Sequence, residues 1–260
     1  MCAVSFLNTV PLVWGMLHSP DAELRETFDL RFALPSECAA QMASGQADVG
    51  IVPVIEMARQ KLGYFRGTGI ACHGPVRSIL LISKVPFSRI RTLAADAASR
   101  TSVMLARVIL AEKYRAEPNV ITRPADLAAM LGEADAALII GDPALRLDPS
   151  TLPFETLDLG QEWVATTGLP MVFAVWGYRR DWAGASEPHH DRYLRAFNDS
   201  CRYGIEHAND IARLEAPQRG VSEEVALQYV TKHIVYELGE RDYQGLEQYV
   251  KLAMAVGVSA

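Results

Sequence analysis

The chain has 260 residues, of which 50% are hydrophobic and 22% charged, a composition typical of a globular protein with one large domain or two lobes. Its formal net charge is -6 and no block of lysine or arginine occurs, so we expect no nucleic-acid partner and no membrane insertion. Four cysteines, Cys2, Cys38, Cys72 and Cys201, lack C-x-x-C spacing. This usage favours buried free thiols, no zinc site and a reducing, cytoplasmic compartment.

The first eight residues form a short apolar run that becomes polar at Asn8. A run of this length predicts a β-strand rather than a signal peptide, and no later run is long enough to span a bilayer. Asn8 then lies at a strand-to-helix turn. There its amide can bind a ligand oxygen or cap the helix.

One pattern occurs in each half of the chain. A helix-like stretch, the motif G-x-A-D and a short apolar run follow one another over residues 36–53 and again over residues 125–141. This order is typical of a helix, a turn and a buried parallel strand. We therefore predict an α/β fold with two similar lobes.

Two segments are candidates for the crossings between the lobes: residues 63–83, which end in an apolar strand at 79–83, and the apolar strand at 168–177. We expect lobe one to comprise residues 1–76 plus 178–260 and lobe two residues 77–177. A ligand cleft is then expected between them, at the ends of the strands.

The last part of the chain has helical spacing over residues 190–208, 222–237 and 243–256. Ser222, which precedes two glutamates, is a credible N-cap for the second of these helices. We expect the three helices to pack against lobe one.

The segment Ser99-Arg100-Thr101-Ser102 precedes a mostly apolar helical stretch and resembles an anion cradle. Unpaired backbone N–H groups and the positive end of the helix dipole lie at such a position. A single hydroxyl would suffice as an N-cap, whereas three hydroxyls beside an arginine favour a bound carboxylate. Arg100 can pair with this ligand or turn outward.

Asp142 follows Gly141 at the end of an apolar strand, where it can act as a base or cap the next turn. The chain contains no nucleophile elbow, no H-E-x-x-H, no glycine-rich phosphate loop and no dinucleotide fingerprint. We therefore expect no cofactor and no metal.

Seven segments taken in order resemble the chorismate dehydratase family of the futalosine route to menaquinone. They are SFLNTVPL at 5–12, LPSECAAQMASGQADVGIVPVIE at 34–56, GPVRSILLIS at 74–83, SRTS at 99–102, LIIGDPAL at 138–145, DLGQEW at 158–163 and TGLPMVFAVW at 167–176. The resemblance implies the two-lobed fold of type II periplasmic binding proteins, used inside the cell. It also implies dehydration of a small dianion, chorismate, to 3-[(1-carboxyvinyl)oxy]benzoate.

The resemblance implies a role for each candidate residue. Ser99, Thr101 and Ser102 hold one carboxylate together with helix N–H groups. Ser78, Gly141 and the backbone around Pro53 and Val54 are candidates for the remaining contacts. Asn8 orients the reacting ring.

A sister enzyme of the same pathway, 1,4-dihydroxy-6-naphthoate synthase, shares the fold and carries a histidine base after the strand that matches residues 138–140. Here that position is Gly141, which argues against the sister reaction. The proton acceptor is then either a carboxylate of chorismate itself or Asp142. A solute-binding protein without catalysis is a further alternative, because fold does not determine function.

Overall fold

The computed structural model describes residues 1–96, 100–186 and 188–257. Within them, the strands form a six-stranded sheet in the order β11-β4-β10-β3-β1-β2 and a five-stranded sheet in the order β7-β6-β8-β5-β9. In chain order β1 to β11 are Cys2–Val4, Arg31–Ala33, Val49–Pro53, Gly63–Cys72, Ile79–Ser83, Thr92–Ala95, Asn119–Thr122, Ala136–Ile140, Glu155–Asp158, Met171–Tyr178 and Val235–Glu237. We call the parts built around these two sheets lobe one and lobe two, respectively.

Helices cover the faces of both sheets. In chain order, α1 to α12 are Val10–His18, Ala22–Glu26, Pro35–Ser44, Val54–Arg59, Arg100–Tyr114, Leu127–Glu133, Asp142–Leu145, Leu159–Thr167, His189–Glu206, Ala208–Arg219, Glu223–Gln228 and Glu240–Ala255. A 3-10 helix at Leu7–Thr9 leads into α1, and a π-helix at Tyr229–His233 follows α11. In the described part of the chain, no helix is both long and apolar enough to cross a membrane.

The repeated pattern forms the same unit in each lobe. Strands β3 and β8 are buried along their whole length, and each follows a helix, α3 or α6. Each lies between one parallel neighbour and one antiparallel neighbour, β1 and β10 for β3, and β6 and β5 for β8. The predicted buried parallel strands are therefore confirmed. The turns differ, because Gly45 ends α3 with a φ of 75° whereas Gly132 lies inside α6.

Strand β5 shows why the second sheet needs cover on both faces. Ile79 and Leu81 belong to the large core shared with lobe one, whereas Leu80 and Ile82 belong to a separate cluster with α6. Successive side chains of a strand point to opposite faces, so an entirely apolar strand requires packing on each side.

The chain passes from lobe one to lobe two between β4 and β5, and returns between β9 and β10. The segment predicted as the second crossing is itself a strand of lobe one, since β10 pairs with both β3 and β4. The division at residues 77 and 177 stays a prediction. The pairing of Met171–Tyr178 favours a return to lobe one before residue 171.

The C-terminal region departs from the expected helices at one point. Ser222 accepts a hydrogen bond from Val225 N (3.2 Å), which confirms the N-cap. The expected helix at 222–237 ends at His233, however, and residues 235–237 form β11 against the edge of β4. Tertiary pairing of a β-branched and aromatic segment outweighs helical spacing here.

The expectation of four free thiols is wrong for one pair. Cys2 in β1 and Cys38 in α3 form a disulfide with a Cα–Cα distance of 5.7 Å, within the usual range. Their separation of 36 residues offers no motif from which the pairing could be read. Cys72 and Cys201 are free and buried, and burial raises the pKa of each thiol to about 12.

Candidate functional site

A cavity of about 70 Å³ lies between the two lobes, at the carboxyl ends of β1, β3 and β8. Its walls are mostly apolar and include the rings of Phe6 and Phe173. The lining includes six of the predicted site residues, namely Asn8, Pro53, Ser78, Thr101, Ser102 and Gly141.

Three predicted residues do not contribute to the described lining. Val54 is buried and begins α4 directly behind Pro53. Asp142 lies on the far side of Gly141, in an outer groove with Glu215 and Arg219. Ser99 lies outside the described residues. The structure thus places six candidates in the lining of one cavity. Their individual roles stay predictions.

Helix N-termini converge on this cavity. Asn8 lies in the 3-10 turn that leads into α1, Pro53 immediately precedes α4, and Gly141 immediately precedes α7. Thr101 and Ser102 lie in the first turn of α5, which is 15 residues long. Backbone N–H groups and helix dipoles at such ends favour a bound anion.

Thr101 and Ser102 are buried, with 3% and 4% exposure. Thr101 Oγ1 is 3.5 Å from Ile55 N, and the carbonyl oxygen of Thr101 accepts a hydrogen bond of 3.0 Å from Tyr249 Oη of α12. Both hydroxyl residues thus lie within the helix rather than at its cap, and a tyrosine from the C-terminal helix supports them.

Arg100 does not reach the cavity. Its Nη1 donates to Glu56 Oε1 (2.9 Å), which also accepts from Arg59 Nη1 (3.0 Å). Glu56 belongs to α4 of lobe one and Arg100 to α5 of lobe two, so the pair joins the lobes. Burial acts to raise the pKa of Glu56, but hydrogen bonds from Arg100 and Gln60 and the charges of Arg100 and Arg59 outweigh burial and lower it.

Asp142 has a partner at both carboxylate oxygens. Oδ1 accepts from Leu7 N (3.1 Å), and Oδ2 accepts from Arg219 Nη1 (2.5 Å). Arg219 also donates to Glu215 Oε2 (2.7 Å) and to the carbonyl oxygen of Ser5 (2.8 Å). Asp142 therefore joins lobe two to the N-terminal segment and α10, and it is not oriented into the cavity as a base.

Position 141 requires a glycine, both because of its backbone conformation and because of the adjacent ring of Phe6. Its φ of 63° and ψ of -147° lie in a region that only glycine adopts readily. A Cβ there would lie 3.1 Å from the ring of Phe6, which also lines the cavity. An imidazole at this position would need both a backbone change and a shift of Phe6.

Ser78 lies at the end of a tightly held loop. Asp158 accepts from Val76 N (3.0 Å) and Arg77 N (2.6 Å), and Arg77 has a positive φ of 64°. Ser78 Oγ also accepts a hydrogen bond of 2.8 Å from Tyr229 Oη.

The sequence analysis missed Glu56, Asp158, Arg219 and Tyr229. Tyr229, for example, is 151 residues from Ser78 in the chain. No local spacing indicates such a contact.

No described lining residue has an acidic or basic side chain; the polar groups are the amide of Asn8 and the hydroxyls of Ser78, Thr101 and Ser102. Within the described ranges, no three His, Cys, Asp or Glu side chains are close enough to hold a metal ion. The cavity can thus bind an anion through neutral donors and dipoles, with apolar walls around a ring.

A family model described as menaquinone biosynthesis matches residues 1–255. The chain belongs to this family. A relative from Thermus thermophilus that is named chorismate dehydratase is 28% identical over 243 residues, which cover 87% of this chain and 87% of that protein.

Solved structures share the fold at low sequence identity. A protein from Archaeoglobus fulgidus has a TM-score of 0.79 with 17% identity, covering 98% of this chain and 96% of that one. The periplasmic aliphatic sulphonate binding protein SsuA from Escherichia coli has a TM-score of 0.64 with 14% identity, covering 98% and 85%. The fold is therefore the two-lobed type II periplasmic-binding-protein fold, as the resemblance implied.

The Glu56 network predicts a pH-dependent contribution to stability. Because folding lowers the pKa of Glu56 below its usual value of 4.5, its contribution is present above that pH and is lost as pH falls through the lowered value. Near pH 7, Glu56→Gln should reduce the free energy of unfolding by about 1–3 kcal/mol, as for a lost charge-assisted hydrogen bond. Denaturant unfolding should show this difference shrinking below about pH 4.5.

Glu133→Gln is the matched control, because Glu133 pairs with Arg123 at the exposed surface. Exposed ion pairs contribute little, so this variant should resemble the wild type at each pH. A difference for Glu56→Gln that stays constant with pH would contradict the assignment.

Proposed function

We propose that this protein dehydrates chorismate to 3-[(1-carboxyvinyl)oxy]benzoate, a step of menaquinone biosynthesis, in the cytoplasm. The observation that carries the proposal is a cavity with several hydrogen-bond donors and apolar walls but no ionisable side chain among its described lining residues. The family and the name of the Thermus thermophilus relative support it. The substrate is a cyclic dicarboxylate, which matches donors around an apolar space.

In this reaction the substrate loses a ring proton and the neighbouring ring hydroxyl, which leave together as water. The ring becomes aromatic, and this supplies the thermodynamic drive. The protein has to hold two carboxylates, orient the ring and steady the leaving hydroxyl, which requires donors in fixed positions. Thr101, Ser102 and the N-terminus of α5 hold one carboxylate. Ser78 and the backbone at Pro53 are placed for the remaining oxygens.

The proton acceptor in this proposal is a carboxylate of chorismate. Asp142, the rival candidate, lies outside the described lining and has both oxygens engaged, by Leu7 N and Arg219. Asn8 orients the ring for the transfer. The sister reaction is disfavoured, because the backbone at Gly141 and the adjacent Phe6 leave no place for a histidine base.

We also propose a revised boundary between the lobes. The pairing of β10 with β3 and β4 supports assigning residues from 171 onward to lobe one, with lobe two beginning near residue 77. The cleft then lies between the two crossings, at the cavity described above.

Purified full-length protein incubated with chorismate should form the benzoate product, detected by chromatography and mass spectrometry. Turnover should persist after exhaustive chelation, because the proposed chemistry uses donors and the substrate's own carboxylate. A parallel incubation without protein corrects for spontaneous decay of chorismate. Calorimetric binding without product would instead support a solute-binding protein, whereas turnover restored only by added metal would contradict the metal-free reaction.

The cradle is tested by combining Thr101→Val with Ser102→Ala. Each lost charge-assisted hydrogen bond should weaken chorismate binding by about 1–3 kcal/mol, measured by calorimetry. Ser200→Ala is the control, since Ser200 Oγ has two buried hydrogen bonds, with Leu12 O and Met16 N, away from the cavity. This control should lower the melting temperature and leave binding unchanged. Unchanged chorismate binding in the Thr101→Val, Ser102→Ala variant would show that the anion site lies elsewhere.

Asn8 and Asp142 are expected to differ in kinetics. Asn8→Ala should lower kcat by about 100-fold through misorientation of the ring. Asn8→Asp should also weaken binding, because it places a negative charge beside a dianion. Asp142→Asn should lose stability but keep kcat within about tenfold of the wild type, since Asp142 does not accept the proton.

Steady-state kinetics with melting temperatures separate these outcomes. A collapse of kcat in Asp142→Asn with intact binding and folding would make Asp142 the proton acceptor. Wild-type turnover in both Asn8 variants would show that Asn8 has no role in the mechanism.

A further inference from the structure

Tyr229 lies behind Ser78, a polar residue of the cavity, without lining the cavity itself. It is the first residue of the π-helix Tyr229–His233, and its side chain is 1% exposed. Its hydroxyl donates to Ser78 Oγ (2.8 Å). One phenol from the C-terminal region thus contacts a side chain that is 151 residues away in the chain. π-helical turns occur frequently at functional sites.

The protons of this cluster can be assigned by counting donors. Burial raises the pKa of Tyr229 far above its usual value, so the phenol keeps its single proton. That proton goes to Ser78 Oγ. The hydroxyl proton of Ser78 then has to point away from Tyr229, and Ser78 lines the cavity.

We propose that Tyr229 is a positioning residue that makes Ser78 a hydrogen-bond donor toward the ligand. Without this contact the serine hydroxyl can rotate. That rotation would misplace a donor that must be preorganised for the substrate. The kinetic consequence rests on the proposed function, whereas the orientation of Ser78 does not.

A side-chain contact of His233 holds the π-helix against the Ser78 loop independently of Tyr229. His233, at the other end of the π-helix, has its Nδ1 3.0 Å from the carbonyl oxygen of Pro75, in the loop that leads to Ser78. The π-helix and the Ser78 loop therefore keep a fixed relation. Loss of the phenol hydroxyl alone should leave this backbone arrangement intact.

Tyr236 provides a matched control. It is also a buried tyrosine, with 4% exposure, and its hydroxyl has no hydrogen-bond partner among the described residues. Tyr229→Phe and Tyr236→Phe thus remove the same atom from the same region of the core. Only the first removes a contact to Ser78.

The test measures kcat and KM for chorismate with full-length protein. Tyr229→Phe should lower kcat at least about tenfold with a smaller change in KM, whereas Tyr236→Phe should resemble the wild type. In a Ser78→Ala background the effect of Tyr229→Phe on kcat should be clearly smaller, because much of it acts through Ser78. Equal kcat values for the two tyrosine variants, or fully additive losses with Ser78→Ala, would overturn the proposal.

A ligand-free crystal structure of each variant gives a readout that does not depend on turnover. Tyr229→Phe should show Ser78 in a changed or second side-chain orientation, and Tyr236→Phe should retain the original one. An unchanged Ser78 in Tyr229→Phe would refute the positioning role. If the wild type fails to turn over chorismate, the proposed function fails, and this comparison still decides the role of Tyr229.

Discussion

The arrangement of this protein depends on a single constraint: buried parallel strands end at one cleft, and helices begin there. Pro53 and Gly141 each lie between such a strand and the next helix, and Thr101 lies in the first turn of α5. The backbone N–H groups and dipoles at these ends can stabilise an anion without a nearby lysine or arginine. This explains how a chain of net charge -6 can offer a site for a dianion. The electrostatic field at the cavity is therefore set by the nearby helix N-termini, and the charged side chains lie outside the described lining.

Those charged groups join the lobes from outside the cavity. Glu56 of lobe one pairs with Arg100 of lobe two, and Asp142 of lobe two contacts Leu7 N and Arg219. A buried charge is tolerable only when it is paired and hydrogen-bonded, and both carboxylates meet this condition. Such pairs help to define the relative position of the lobes, because separating the lobes would remove Arg100 from Glu56 and Arg219 from Asp142. The C-terminal helices also join the lobes, because Arg219 of α10 contacts Asp142 and Tyr249 of α12 contacts Thr101.

Local patterns predicted much of this structure. Periodicity and capping rules predict features that depend on neighbours along the chain. These features are the repeat at residues 36–53 and 125–141, the strand at Ile79–Ser83 and the Ser222 cap. Of the six cavity residues, Asn8, Thr101, Ser102 and Gly141 were accessible because they lie at predicted strand ends and helix starts, whereas Ser78 and Pro53 were implied by the family resemblance. Contacts across the fold were not accessible: the Cys2–Cys38 disulfide, the pairing of Val235–Glu237 with β4, and Tyr229 behind Ser78 depend on which distant segments meet. Spacing within a segment carries no information about them.

The relation between Gly141 and Asp142 bears on how the chemistry is divided between protein and substrate. Gly141 adopts a backbone conformation that excludes an imidazole, and Asp142 uses its carboxylate to hold Leu7 and Arg219. Neither can supply a base to the cavity without loss of a structural function. A substrate that becomes aromatic and carries its own carboxylate removes the need for a base from the protein, because positioning alone can then lower the barrier substantially. Under the proposed reaction, the rate should therefore depend on the donors at Asn8, Ser78 and Thr101. Of these, Ser78 contacts Tyr229 and Thr101 contacts Tyr249, and both tyrosines lie outside the described lining.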